Sequence, residues 1–260
     1  MIADRLSLLV NEMYGNVPQH SGSQLLLATV FFSFQIYCDF SGYSDIAIGS
    51  AKVMGFHLMT NFNNPYKAVS ISEFWKKWHI SLSTWFKDYL YITMGGNRVS
   101  VPKWYFNLFI VFLISGIWHG ANWTFVVWGS LHGFYLIATL IRDHTWPKIK
   151  MHRYFNRLVT FLLVSFAWIF FRSENISIAW QVIKKIFTFS NYNVITSDKL
   201  NSTEILFSIA LIVLLMFKDN YLPKIKTAST PRFYLLLAVF FVVIYFFGVF
   251  NSNSFIYFQF

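Results

Sequence analysis

The sequence predicts an all-α, polytopic transmembrane helical bundle, and three observations predict it. Of 260 residues, 56 % are hydrophobic and 12 % charged, against about a quarter charged in an ordinary soluble domain. Apolar runs recur at about six places, 25–38, 104–118, 123–141, 158–171, 205–217 and 233–250. Aromatic residues reach 21 %, including 31 Phe and 10 Trp, which suits interfacial belts and tightly filled helix contacts. The net charge of +10 sits in short loops beside the apolar runs, so it reads as membrane orientation rather than nucleic-acid affinity. The single cysteine, Cys38, excludes an internal disulfide and a Cys-based zinc site.

Taken in order, residues 1–23 read as an amphipathic or loop segment with no secretory signal. The run 25–38 passes straight into Asp39-Phe40-Ser41-Gly42-Tyr43-Ser44-Asp45. Two acids, two serines and a glycine there predict a broken or re-entrant helix, with a solvated helix end as the equal alternative. A helix resumes over 46–56, and Asn61 to Tyr66 is a turn. Ser70 with Glu73 forms a capping-box pattern, so a helix starts at 70. Ile71, Phe74, Trp75, Trp78, Leu82, Trp85, Phe86 and Tyr89 then recur at helical spacing. This predicts one basic, amphipathic, interfacial or re-entrant helix over 70–90. Lys76, Ser83 and Lys87 project together from it, Lys77 lies further round, and His79 sits at the edge of the apolar face between Trp75 and Phe86.

Gly95-Gly96-Asn97-Arg98 is a turn signal. The run 104–118 measures roughly 22 Å as helix against roughly 30 Å of hydrocarbon, which is short for a crossing. Gly116 to Asn122 joins it to the run 123–141 without a polar loop, which places the joint, and His119 in it, below the membrane surface. Irregular backbone at that depth needs protein or a wet cavity around it. A basic loop follows at 142–157, then an apolar run at 158–171 and a polar stretch 172–204 with one amphipathic piece near 180–187. The last two spans flank a loop carrying Lys218, Lys224, Lys226 and Arg232. The basic segments 61–103, 142–157 and 218–232 agree on one orientation, with all three cytoplasmic and the C-terminus outside.

His79 and His119 are the chemical candidates, because an intramembrane ionisable residue is functional by default. A buried imidazole stays neutral, and a neutral imidazole is what a general base must be. His119 facing a hydroxyl on one side and an activated acyl group on the other would perform acyl transfer, with interfacial lysines as point charges for carrier phosphates. From composition alone, a transporter or proton relay using Asp39, Asp45 and the histidines rivals this. Metal or haem ligation has no ligand cluster behind it: His119 and His132 lie roughly 20 Å apart if on one helix, and share a metal only if the chain folds back. His20, His57, His144 and His152 read as structural; for His132 both roles stay open.

Four segments together, Tyr37 to Gly49, Phe74 to Trp85, Gly95 to Arg98 and Gly116 to Trp123, resemble the bacterial membrane-bound O-acyltransferase (MBOAT) family, in its alginate O-acetyltransferase branch. The resemblance covers essentially the whole chain as a single domain. It implies an acetyl group passed from cytosolic acetyl-CoA, as donor rather than bound cofactor, through the cytoplasmic membrane to hydroxyls of an extracytoplasmic polysaccharide. A separate extracytoplasmic acetyltransferase is the implied partner. The family's catalytic histidine falls on His119, in Trp-His-Gly, and its second histidine on His79, in Trp-His-Ile-Ser. Lys76 and Lys77 stand where the family commonly has arginines. With Lys87, Asp39, Asp45 and Asn122 they are the expected substrate contacts. Family members are usually far longer, so the chain resembles a C-terminal half, and an inactive fragment that needs a separate N-terminal half is the remaining alternative.

Overall fold

The computed structural model describes residues 1–145, 152–188, 197–221 and 231–248, with the backbone alone at 218–221, 232 and 247. Parts of the basic loops used for orientation, 146–151 and 222–230, and the C-terminal residues 249–260 lie outside the described residues. All regular structure among the described residues is helical. The helices are α1 (Ile2–Gly15), α2 (Gly22–Val53), α3 (Ile71–Trp75), α4 (Ile80–Phe86), α5 (Val101–His119), α6 (Trp123–Thr145), α7 (Arg153–Arg172), α8 (Ile176–Phe187), α9 (Ser202–Tyr221) and α10 (Pro231–Phe247). Of these, α2, α5, α6 and α7 are long and apolar enough to cross a membrane, and Ser202–Phe217 and Phe233–Phe246 are shorter apolar helices. The chain is an all-α, multi-pass membrane protein.

Contacts divide it into two units, 1–39 with 190–259, and 40–189. In the first unit, α1 buries Leu6, Leu9, Val10 and Met13, the i, i+3, i+4, i+7 stripe of an amphipathic helix. Polar groups lock its ends. Arg5 meets Glu204 at 3.5 Å and lies over the ring of Phe207. The Glu12 carboxylate accepts the Ser197 hydroxyl and the N–H groups of Asp198 and Lys199. Thr29 donates to the Leu25 carbonyl at 2.8 Å, which leaves its oxygen to accept from Tyr14 at 2.9 Å.

α2 corrects one expectation. Its 32 residues run unbroken through Asp39 to Asp45. At 1.5 Å per residue it is about 48 Å long against roughly 30 Å of hydrocarbon. A helix that overshoots the apolar layer carries polar residues in its excess length without having to break.

The interfacial segment corrects another. Ser70 does accept the Glu73 N–H, at 3.1 Å, though the Glu73 carboxylate reaches the Val69 N–H rather than that of Ser70. The predicted single helix is instead α3, a break at 76–79, α4, and a π-helical turn over Lys87–Tyr91. The loop 61–63 causes the break. Asn63 N–H donates to Lys77 C=O and Ile80 N–H to Asn61 C=O, both at 3.0 Å, and these are groups a continuous helix would have used internally.

α5 is one turn longer than its apolar run, beginning at Val101 with Pro102 in its first turn, where a missing N–H costs nothing. At 19 residues it measures about 28 Å, so it is long enough to cross, unlike the run 104–118 alone. It folds back onto α6 as a hairpin of very close approach. A Cβ on Gly129 would stand 2.3 Å from the Phe112 carbonyl oxygen, and one on Gly116 would stand 2.3 Å from that of Phe125. Gly129 and Gly133 have the small-xxx-small spacing that lets membrane helices meet backbone to backbone. Behind the hairpin, α7 and the segment 74–78 complete a core of Trp78, Trp128, Trp168, Phe74 and Phe171, all fully buried.

Fully buried Asn107 on α5 donates through Nδ2 to the carbonyls of Met94 and Gly96, both at 3.1 Å. It holds the turn in which Gly95 and Gly96 adopt φ of 94° and 56°. Asn107→Leu keeps the volume but leaves two carbonyls unpaired, so a loss of about 2 kcal/mol is expected. Unfolding in mild detergent checks it, and an unchanged midpoint would refute the anchoring role.

Candidate active site

His119 ends α5, where Gly120 to Asn122 turn the chain into α6. Asn122 holds this joint. Its Oδ1 accepts the Thr124 N–H at 3.1 Å, as an N-cap does, and its Nδ2 donates to the Glu174 carbonyl. Those polar atoms are engaged with backbone, which gives Asn122 a structural task at the joint. The His119 ring lies edge-on to Trp128, at 5.1 Å and 90°, and against Phe171 at 5.3 Å. An aromatic wall on two elements, α6 and α7, therefore fixes its orientation.

His79 sits at the break between α3 and α4. Its backbone is left-handed, φ 45° and ψ 55°, which a residue with a Cβ adopts only at a cost. The ring meets Phe40 edge-on at 4.6 Å, and Ser81 Oγ lies 3.5 Å from Nδ1. Although distant in sequence, the imidazoles of His79 and His119 lie within electrostatic reach of one another. The structure brings together the two histidines that the sequence singled out.

Burial lowers the His79 pKa from 6.5 to about 4, because desolvation disfavours the charged ring. His79 is thus neutral at physiological pH. An unfolded chain binds the proton near pH 6.5 and the folded one only near 4, so the unfolded state takes up more protons in between and stability falls as pH drops through that window. His79→Asn, whose side chain tolerates the left-handed backbone, is expected to remove this part of the pH dependence. Unfolding midpoints of the two proteins from pH 8 to 4 provide the check; parallel curves would contradict it.

His132 lies on α6 inside the same wall, fully buried. Trp75 Nε1 donates to its Nδ1 at 3.3 Å, which leaves Nε2 buried without a partner. Its ring is edge-on to Trp128 at 5.1 Å, the ring that also meets His119. The helical hairpin folds back, so the long axial separation expected for one straight helix does not apply.

The expected substrate contacts separate. Lys76 and Lys87, with Ser83, line a cavity of about 370 Å³ whose inner wall is Leu82, Phe112 and Leu136. Neither His79 nor His119 lines it. Lys77 instead pairs with Glu73 at 2.6 Å. Burial opposes the Glu73 charge, but the Lys77 ammonium and the Val69 N–H hold its carboxyl below the usual range. Asp39 is partly buried midway along α2, and Asp45 is exposed. A second cavity, of about 240 Å³, adjoins His79 through Phe40, Asn61 and Ser81 and is walled by Ala47, Ile48 and Leu58. Sequence reasoning took Asn61 for a turn residue and assigned Ser81 no role, since nothing local reveals that residues 20 apart will bond.

The chain is 43 % identical over 203 residues to the probable alginate O-acetylase AlgI of Pseudomonas aeruginosa, covering 78 % of this chain and 38 % of that protein. It is 43 % identical over 186 residues to the peptidoglycan O-acetyltransferase of Helicobacter pylori, covering 71 % and 35 %. The teichoic acid D-alanyltransferase of Bacillus subtilis is 29 % identical over 161 residues, covering 57 % and 40 %. The chain thus spans about two fifths of the length of these relatives. The model of the MBOAT, membrane-bound O-acyltransferase family matches residues 8–180, a stretch that holds both histidines, the joint between α5 and α6 and the aromatic wall, and the chain belongs to that family.

Proposed function

We propose that this chain carries the catalytic histidines of a membrane O-acetyltransferase, which moves acetyl from cytosolic acetyl-CoA to hydroxyls of an extracytoplasmic polysaccharide. The approach of His79, from the break between α3 and α4, to His119, set against Trp128 and Phe171 at the joint of α5 and α6, carries this reading. The family and its relatives' names support it, since those relatives modify alginate, peptidoglycan or teichoic acid. Neutral His119 accepts the proton of the acceptor hydroxyl as the oxygen attacks the acetyl carbonyl carbon. The thioester C–S bond breaks, and the thiolate leaves as coenzyme A thiol, taking the proton back from the imidazolium. His79 positions the donor or shares the proton. Lys76 and Lys87 supply positive charge for donor phosphates at the mouth of their cavity, while Lys77 is held back by Glu73.

The acceptor is of the alginate, peptidoglycan or exopolysaccharide type, the membrane is the bacterial cytoplasmic membrane, and a separate extracytoplasmic acetyltransferase receives or completes the transfer. The test is turnover of radiolabelled acetyl-CoA by the chain in lipid vesicles supplied with acceptor oligosaccharide. Labelled ester on the sugar is the expected product. Donor that stays intact while the vesicles pass protons or solute would replace this reading with a transport one.

A further inference from the structure

The left-handed backbone at His79 is held on its C-terminal side by one asparagine. Asn61 C=O accepts the Ile80 N–H at 3.0 Å. Its Oδ1 accepts the Ser81 N–H at 3.2 Å and the Ser81 hydroxyl at 2.9 Å, and its Nδ2 faces Ser44 Oγ at 3.4 Å. Turning the amide over would set Nδ2 against the Ser81 N–H, donor to donor, so the orientation is fixed. Ser81 spends its one proton on Asn61. Towards His79 Nδ1, 3.5 Å away, its oxygen therefore offers only a lone pair, and the ring proton must sit on Nδ1. The edge-on contact with Phe40 keeps the ring from turning. The left-handed conformation persists only where surroundings over-determine it; here three hydrogen bonds accepted by Asn61 do so.

We propose that Asn61 and Ser81 are positioning residues that hold His79 as the Nδ1–H tautomer and present its Nε2 lone pair for proton transfer. The inference rests on the proposed acetyltransferase reading, in which His79 takes part. Its test needs no turnover. In the histidine-¹⁵N-labelled chain in lipid, with the His79 signals assigned by difference from His79→Asn, the wild type shows Nδ1 protonated and Nε2 bare. Ser81→Ala, which leaves the Asn61 carbonyl bond to Ile80 in place, shifts the population towards Nε2–H, and Ser81→Thr restores the original pattern. Acetyl turnover in Ser81→Ala drops about 10- to 100-fold in kcat, the size of loss seen when the outer partner that orients a metal-bound imidazole is removed, with KM for acetyl-CoA unchanged. An unaltered ¹⁵N pattern in Ser81→Ala overturns the positioning role. Wild-type turnover by His79→Asn is a different failure, because it removes the reaction for which the ring is held.

Discussion

Acetyl transfer by the His119→Gln variant is expected to fall about 10²- to 10⁴-fold, the contribution of a positioned general base. Glutamine keeps the size and polarity of the ring's place between Trp128 and Phe171 but cannot accept and return a proton. Helical content and the unfolding midpoint should therefore stay close to wild type while turnover disappears. The parallel His132→Gln variant separates chemistry from packing. His132 touches the same Trp128 ring but is sealed in the core, with Trp75 as its partner, so its replacement should lower stability before it lowers turnover in the remaining folded protein. If both variants lost stability and turnover in proportion, His119 would be a core residue and the catalytic assignment would fail.

Gly129→Leu has the largest expected structural effect. The first side-chain atom would lie 2.3 Å from the Phe112 carbonyl oxygen and 3.1 Å from the Gly116 Cα, and backbone cannot turn aside as a flexible side chain does. Overpacking a closed site costs about 1–3 kcal/mol, and here the clash is with backbone, so the upper end of that range or beyond is expected. The α5–α6 hairpin places His119, so stability and turnover should be lost together. Gly42→Ala on α2 is the control. A Cβ there meets nothing within 4 Å, and replacing a helical glycine removes about 0.5–1 kcal/mol of backbone penalty, so a small gain is expected. Thermal unfolding in one detergent ranks all three proteins, and a Gly129→Leu midpoint equal to wild type would show that the close approach is not required.

The contrast between these glycines shows what was legible in the sequence. Apolar runs and their spacing yield the helices, because burial in lipid leaves little else for a backbone to do. His119 stood out because a joint without a polar loop leaves an imidazole in an apolar setting. Three features were missed, each for its own physical reason. The polar run from Asp39 to Asp45 looked like a helix break, yet helix length rather than composition decides whether such residues must leave the apolar layer. The segment 70–90 looked like one helix because its periodicity is unbroken, yet Asn61 and Asn63 compete for its backbone groups and win at 76–80. Lys76, Lys77 and Lys87 were grouped as charges for donor phosphates, but Glu73 one turn before Lys77 pairs with it. The close approach of α5 at Gly129 and Gly133 was legible in principle, since four-residue glycine spacing in an apolar helix signals close packing.

The most direct measurement is acetyl movement across a sealed membrane. The chain is reconstituted in vesicles with acceptor oligosaccharide trapped inside and [¹⁴C]acetyl-CoA outside, and ester-linked label is counted in the lumen for the wild type and His119→Gln. Luminal O-acetyl sugar formed by the wild type, and reduced at least about 100-fold in the variant, is the predicted result. Equal label from both proteins would contradict the central claim that His119 is the base of a trans-membrane acetyl transfer.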